Sequence, residues 1–333
     1  MYQTLMYHAN STASIHFANG SVHDVVKIEG GASYKEIMRR LSDLNDELSQ
    51  DENNFKAPPS KNALHQSPAF VLPTQLQKAL KYVSSMWPRK SPAPPPEAES
   101  LLWMLKALKA SSEAYLETPI RHIEITNPAL LGTSEIYKAS ISSASSALGL
   151  KMSSSHYLAA EAAARTYNVR GRCDESYDFP EGLNEDDTQY RLFVALSYNR
   201  AAFSAFLMEE VCDVMFDLRT YHNRSLGSDS PLSKEERHAM MKHALEDVTR
   251  PPYPQNVLGH EHVQDIVLFG EATEDTTFRS VLEEVFGPRL DKCDVRRQQD
   301  VINPLFAASR GAARDRQLLE YGVAESSPTG CPI

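Results

Sequence analysis

Few residues in this chain stand at spacings that chemistry requires. His238 and His243 do not form a helical i, i+4 pair, and no Glu completes a zinc-protease motif with them, so they read as solvated. His260-Glu261-His262 follows Gly259 in a loop and carries donors for adventitious metal binding only. Cys173, Cys212, Cys293 and Cys331 are far apart, without metal-type spacing, and read as reduced structural thiols. Cys331 is third from the end, where a prenylation box needs its cysteine fourth. Neither a Gly-x-Ser-x-Gly elbow, nor a Walker loop, nor a dinucleotide fingerprint occurs.

The elements that must position these residues follow an α/β pattern. Ser14–Phe17 and Val22–Ile28 flank Asn19-Gly20, a strong hairpin signal. A helix is expected from Ser33, with Glu36 completing a capping box and Ile37, Leu41, Leu44 and Leu48 as its buried stripe. Residues 51–73 read as a polar loop, Leu72–Met86 as a helix and Pro88–Pro96 as a stiff connector. Pro-Pro-Glu-Ala-Glu then opens a helix with Leu101, Leu105, Leu108 and Tyr115 on one side. Ile120–Thr126 reads as a strand stopped by Asn127-Pro128. Ser134–Leu148 reads as a helix closed by Gly149, and His156–Tyr167 as an Ala-rich helix. After an acidic loop, Arg172–Asp187, come strands Leu192–Leu196 and Phe203–Met208, joined at Tyr198-Asn199, then Val211–Leu218. Ser233–Val248 is expected to be helical, with Ser233 and Glu236 as its capping box.

The C-terminal quarter is the most distinctive. Asp265-Ile266-Val267-Leu268-Phe269-Gly270 is an apolar run ending at a turn, and Thr277–Phe286 follows at helical spacing. Asn303-Pro304 then opens a small-residue helix through Gly311-Ala312-Ala313. This order resembles the closing segment of the nucleotide-binding domain of the seventy-kilodalton heat-shock chaperones, in the actin/hexokinase/sugar-kinase superfamily. The resemblance is weak over 30–115 and best over 120–230 and 265–313. It implies a two-lobed actin-like ATPase fold, ribonuclease-H-like in each lobe. The first lobe would span 1–187, with insertions near 51–73 and 88–96. The second would span 188–320, and 321–333 would form a flexible tail. The short interval between Gly227 and Asp265 holds a whole subdomain in the chaperones, so the second lobe would lack most of its upper part.

The same resemblance implies where ATP or ADP with magnesium would sit. The first phosphate loop, Asp-x-Gly-Thr-Thr-x-Ser, falls on His8 to Ser14 and keeps the hydroxyls of Ser11, Thr12 and Ser14. His8 replaces the metal-organising acid and Asn10 the glycine. The second, Asp-x-Gly-Gly-Gly-Thr-x-Asp, falls on Ala195 to Ala202, including Ser197, Tyr198, Asn199 and Arg200. Both acids are alanine there, and Tyr198 would occupy the space of a phosphate. The expected glutamate of Glu-Pro-Thr-Ala-Ala is Ala159, with Glu161 two places on. Gly227 keeps one glycine of a Leu-Gly-Gly turn. Gly270 keeps one of the adenosine loop, whose arginine has become Glu274. Gly311 is expected to pack on the sheet that carries Asp265–Phe269.

Composition narrows the classes. The chain has 333 residues, 41% hydrophobic and 23% charged, and its net charge of −10 with scattered Lys and Arg excludes a nucleic-acid footprint. No run approaches the roughly 18 apolar residues of a membrane span, and the N-terminus lacks a signal-peptide pattern, so a cytoplasmic protein is expected. Glycine is scarce, 14 residues in all, although phosphate-cradling loops consume it. Phosphoryl transfer needs charge neutralisation and open N–H turns. The expectation is therefore a degenerate pseudo-ATPase that binds or scaffolds a protein partner, in a metabolic pathway or complex, with no catalytic residue and no metal site. The alternative is an active ATP-binding chaperone-like protein or weak ATPase using Ser11, Thr12 and Arg200. A third reading is an unrelated α/β enzyme.

Overall fold

A computed structural model describes residues 2–6, 10–17, 19–41, 96–128, 135–152, 158–169, 190–211, 214–251, 263–287 and 302–321. Strands β1 (Tyr2–Met6), β2 (Asn10–His16) and β3 (Val22–Glu29) form an antiparallel meander. The β2–β3 turn closes as its Asn-Gly pair predicts. Phe17 N–H bonds Ser21 O, Gly20 N–H bonds Phe17 O, and Gly20 takes φ 85°. Helix α1, over 32–41, and α2 (Pro96–Leu116) precede β4 (His122–Thr126), which returns parallel to β1. Then come α3 (Glu135–Ala147), the short β5 (Lys151–Met152) parallel to β4, and α4 (Ala159–Thr166). The first sheet thus has the order β3-β2-β1-β4-β5.

The second half repeats this logic. Strands β6 (Tyr190–Tyr198), β7 (Phe203–Val211) and β8 (Val214–Asn223) form another antiparallel meander. Helix α5 (Lys234–Thr249) carries the chain over to β9 (Asp265–Phe269), parallel to β6. Helices α6 (Thr276–Phe286) and α7 (Ala307–Tyr321) follow. The second sheet has the order β8-β7-β6-β9, matching the first four strands of its counterpart in order and direction.

Each half has its own core, and a third joins them. Ala13, Ile15, Ile123 and Ile125 face Leu101, Leu105 and Leu108 of α2 and Tyr137 and Ile141 of α3. In the second half, Val194, Leu196, Tyr198 and Leu207 pack under α5 and α6. The helices then exchange sheets. Helix α4 follows the first sheet, but its alanines pack on Phe193, Ala195, Val267 and Phe269 of the second. Helix α7 follows the second sheet and lies on β1, β2 and β4 of the first.

Local details correct several expectations. Helix α1 already includes Ser33, because Lys35 N–H bonds Gly31 O; Glu36 pairs with Arg39 and makes no capping box. Its buried stripe is Tyr34, Met38 and Leu41, with Ile37 partly buried. Tyr115 of α2 is largely exposed and its hydroxyl bonds His23 Nδ1 at 2.7 Å. The third strand of the second meander ends at Asn223, beyond Leu218, since it pairs along all of β7. The Ser233–Glu236 capping box forms as expected, and Asp275 caps α6 by accepting the N–H groups of Thr277 and Phe278. Leu44, Leu48, the 51–73 loop, the 72–86 helix, the connector before Pro96, the Arg172–Asp187 loop and the tail from 322 lie outside the described residues.

Gly311 packs elsewhere than on the second sheet. A Cβ there would lie 1.6 Å from Ala162 O and 2.8 Å from Thr166 Oγ1, so its close neighbour is α4. Two Ala-rich helices can approach until backbones touch, and that contact preempts a helix–strand one. Thr166 Oγ1 donates to Ala307 O at 2.5 Å beside the crossing.

Candidate functional site

Three turns of the second half converge near the end of β3. The β6–β7 connection, residues 199–202, is closed by Asn199 N–H to Ala202 O at 3.0 Å. The strands run up to Tyr198 and resume at Phe203, so the turn begins one residue later than the sequence suggests. Against it lies the loop at Gly227, where Ser228 N–H bonds Asn199 O and Asp229 N–H bonds Arg200 O. On its other side lies the loop after β9. There Ala272 N–H bonds Tyr198 O, Glu271 N–H bonds Asn199 Oδ1 at 3.3 Å, and Gly270 N–H bonds Pro304 O. These backbone donors are turned on neighbouring loops.

Both retained glycines serve that packing. A Cβ at Gly227 would lie 2.2 Å from Arg200 O, and one at Gly270 would lie 2.4 Å from Tyr198 O. Gly270 also has φ +118°, a conformation that side chains disfavour. Their common partner is the 198–202 backbone, and either contact is sufficient reason for a glycine.

The sequence-predicted polar groups are dispersed among several partners. Ser11, Thr12 and Ser14 lie within strand β2, all fully buried, instead of in the expected loop. Ser11 Oγ meets the Tyr34 hydroxyl at 3.2 Å on one face. On the other, Thr12 donates to Ser309 Oγ at 3.4 Å and Ser14 Oγ lies 2.7 Å from it. Ser197 Oγ accepts from Asn199 Nδ2 at 2.8 Å. Tyr198 points into the core and stacks on Phe278 at 4.7 Å, so its ring does not fill a phosphate's place. The strand's period of two puts it beside Leu196 and Val194. Burial, with the nearby Asp275 carboxylate, pushes its phenol up to about 12 against the opposing Arg237 charge. Ala159, Ala195 and Ala202, at the expected carboxylate positions, are buried. Glu161 is partly exposed, and Glu274 pairs with Arg279. His8 and the His260-Glu261-His262 triplet lie outside the described residues.

Arg200 has carboxylate partners. Its Nη1 donates to Glu29 of β3 and its Nε to Asp229, each at 2.8 Å. Beside it, Lys27 of β3 reaches the nearly buried Glu271 carboxylate at 2.5 Å. Burial raises the Glu29 carboxyl, but the Lys35 hydrogen bond and the charges of Lys35, Lys27 and Arg200 outweigh it and hold the group below its ordinary range. At the same strand's start, Asp24 takes a bidentate pair from Arg310 of α7, both bonds 2.7 Å.

Lys27, Glu29, Asp24 and Glu271 escape sequence reading for a definite reason. Strict alternation puts Asp24 and Lys27 on opposite faces of a strand. The register of β2 on β3 steps from Ala13↔Val26 to Ser14↔Asp24, a bulge that brings Asp24, Lys27 and Glu29 onto one face. A single sequence gives no signal for that bulge.

Among the described residues, no group of three or more His, Cys, Asp and Glu side chains is placed to hold a metal ion. No helix among them is long and apolar enough to cross a membrane. No protein-family model matches this chain, and no curated protein matches it.

Proposed function

We propose that this chain is a two-lobed, actin-like ATPase fold, similar to the nucleotide domain of the seventy-kilodalton heat-shock chaperones, that has lost its nucleotide chemistry. It acts as a binding or scaffold protein for a protein partner in the cytoplasm. The repeated strand order supports the architecture, and so does the exchange of α4 and α7 between sheets. One observation carries the functional half. The 199–202 turn, the Gly227 loop and the Gly270 loop bond one another through their own N–H groups. Binding of phosphate needs such donors aimed outward.

Charge supports the same reading. Alanines stand at the three carboxylate positions, all buried, and Ala159 and Ala195 lie inside apolar packing where an ionised group would be costly. The alternative ligand set of Ser11, Thr12 and Arg200 is committed elsewhere, to Tyr34, to Ser309, and to Glu29 with Asp229. Reaching a nucleotide would require all three to exchange partners.

Isothermal titration of the full chain with ATP or ADP plus magnesium tests this. We expect no heat above the dilution blank and no hydrolysis above buffer, in wild type and in Ala195→Asp alike. Micromolar binding, or magnesium-dependent turnover abolished by Arg200→Ala, would overturn the reading in favour of a weak ATPase.

A further inference from the structure

The contacts between β3 and the second half differ in kind from those that build either core. Lys27 Nζ meets Glu271 at 2.5 Å, and Glu29 meets Arg200 at 2.8 Å. Further along, Arg224 Nη1 reaches Arg39 O at 3.3 Å. Each joins the first sheet or its α1 to a loop of the second half. Asp229 and Lys35 extend the second pair to a four-membered chain, Lys35–Glu29–Arg200–Asp229.

Beyond the ion pairs, the joint stays polar. Thr12 and Ser14 meet Ser309, and Asp24 meets Arg310. Another face of α7 is different. There α4 crosses α7 at Gly311, backbone against backbone, with alanines around the crossing. One face of α7 is therefore held by groups that water can replace, and another by close packing that it cannot.

We infer that the Lys27–Glu271 and Glu29–Arg200 pairs form a latch that closes the polar joint between the first sheet and the second half across β3, while the α4–α7 crossing stays packed. The chain supplies its own closure, through side chains of opposite sign on the two halves. This goes beyond the proposed loss of nucleotide chemistry and does not depend on it. The pairs are unequal. Glu29, Arg200 and Asp229 are well exposed, and solvated pairs contribute little and are screened by salt. Glu271 keeps only 6% of its side-chain surface exposed, so Lys27–Glu271 is the dominant element and the least screened.

Hydrogen exchange of the full-length protein without nucleotide tests the latch, read in peptides covering 10–16 and 304–310, which face each other across the joint. We expect Glu271→Gln and Lys27→Gln each to speed exchange there about tenfold, with the double variant no faster than either single. Peptides of β6 and β7 should keep the wild-type rate. Equal rates in wild type and all variants would overturn the latch, as would additive effects of the two substitutions. Should the Glu271 variant fail to fold, Lys27→Gln alone gives an independent readout. Faster exchange at the joint alone supports the latch, and unchanged or uniformly faster exchange removes it. Nucleotide binding in the titration above would leave these outcomes as they stand.

Discussion

The two sheets share a strand order, and each is covered by the helix that follows the other, yet the two covers are made of different chemistry. Under α4, the second sheet presents Phe193, Ala195, Phe206, Val267 and Phe269 to a face of alanines. Under α7, the first sheet presents Asn10, Thr12, Ser14, Glu124 and Thr126, all buried. Their place on one face follows from alternation, since Ala13, Ile15, Ile123 and Ile125 go to the opposite core. The topology is shared, but one contact is apolar and its counterpart polar. An apolar cover gains from water exclusion and resists opening, whereas a polar one only exchanges water partners for protein ones. The difference locates the rigid body of the molecule in the second sheet with α4, and its weaker joint between the first sheet and α7.

The largest expected effect breaks the apolar cover. Phe269, with 2% of its surface exposed, fills the space between β9 and the exchanged helices. Phe269→Ala should cost about 3–5 kcal/mol in urea unfolding, the range for a buried aromatic whose cavity cannot collapse. A loss below about 1 kcal/mol would show that this cover is no tighter than the polar one, and the contrast between the sheets would fall.

Next is the crossing that both covers share. At Gly311, even alanine places a Cβ 1.6 Å from Ala162 O, a backbone atom that cannot swing aside. Alanine ordinarily improves a helix by about 1 kcal/mol over glycine. Here Gly311→Ala should instead destabilise by about 1–3 kcal/mol, and Gly311→Val by more. A stabilised alanine variant in the same urea experiment would mean that α7 does not dock closely on α4.

Strand and helix positions are readable where apolar period and turn chemistry agree, as at Asn19-Gly20, Ser233–Glu236 and Asp265–Gly270. The α/β class follows from them. Sites are harder to read, because hydroxyls look alike whether they line a loop or a strand. Ser11, Thr12 and Ser14 read as ligands only if residues 10–14 form a turn; pairing of Met6 with Ser11 makes them strand. A motif places Tyr198 by its neighbours, but the pleat sets its direction. Gly311 is legible as a close-approach glycine, yet its partner helix depends on the exchange of helices, a non-local fact that no window of sequence carries.

The smallest effect sharpens the polar side. Thr126 is fully buried, and its hydroxyl makes no hydrogen bond. An unmet buried hydroxyl costs roughly 1–3 kcal/mol, so a side chain of equal shape without it should restore part of that. Valine keeps the branched β-carbon and the strand preference of threonine. Thr126→Val should therefore raise stability by about 0.5–1 kcal/mol. Ser309 is the control, because its hydroxyl meets both Ser14 and Thr12. Ser309→Ala strands Thr12 and leaves Ser14 with Asp24 alone, and should lower stability by about 1 kcal/mol. Opposite signs from two hydroxyl deletions under one helix would show a layer partly satisfied by itself and partly left in need of water. If Thr126→Val also destabilised, its hydroxyl would have a partner, and the first sheet's cover would be as tightly made as the second's.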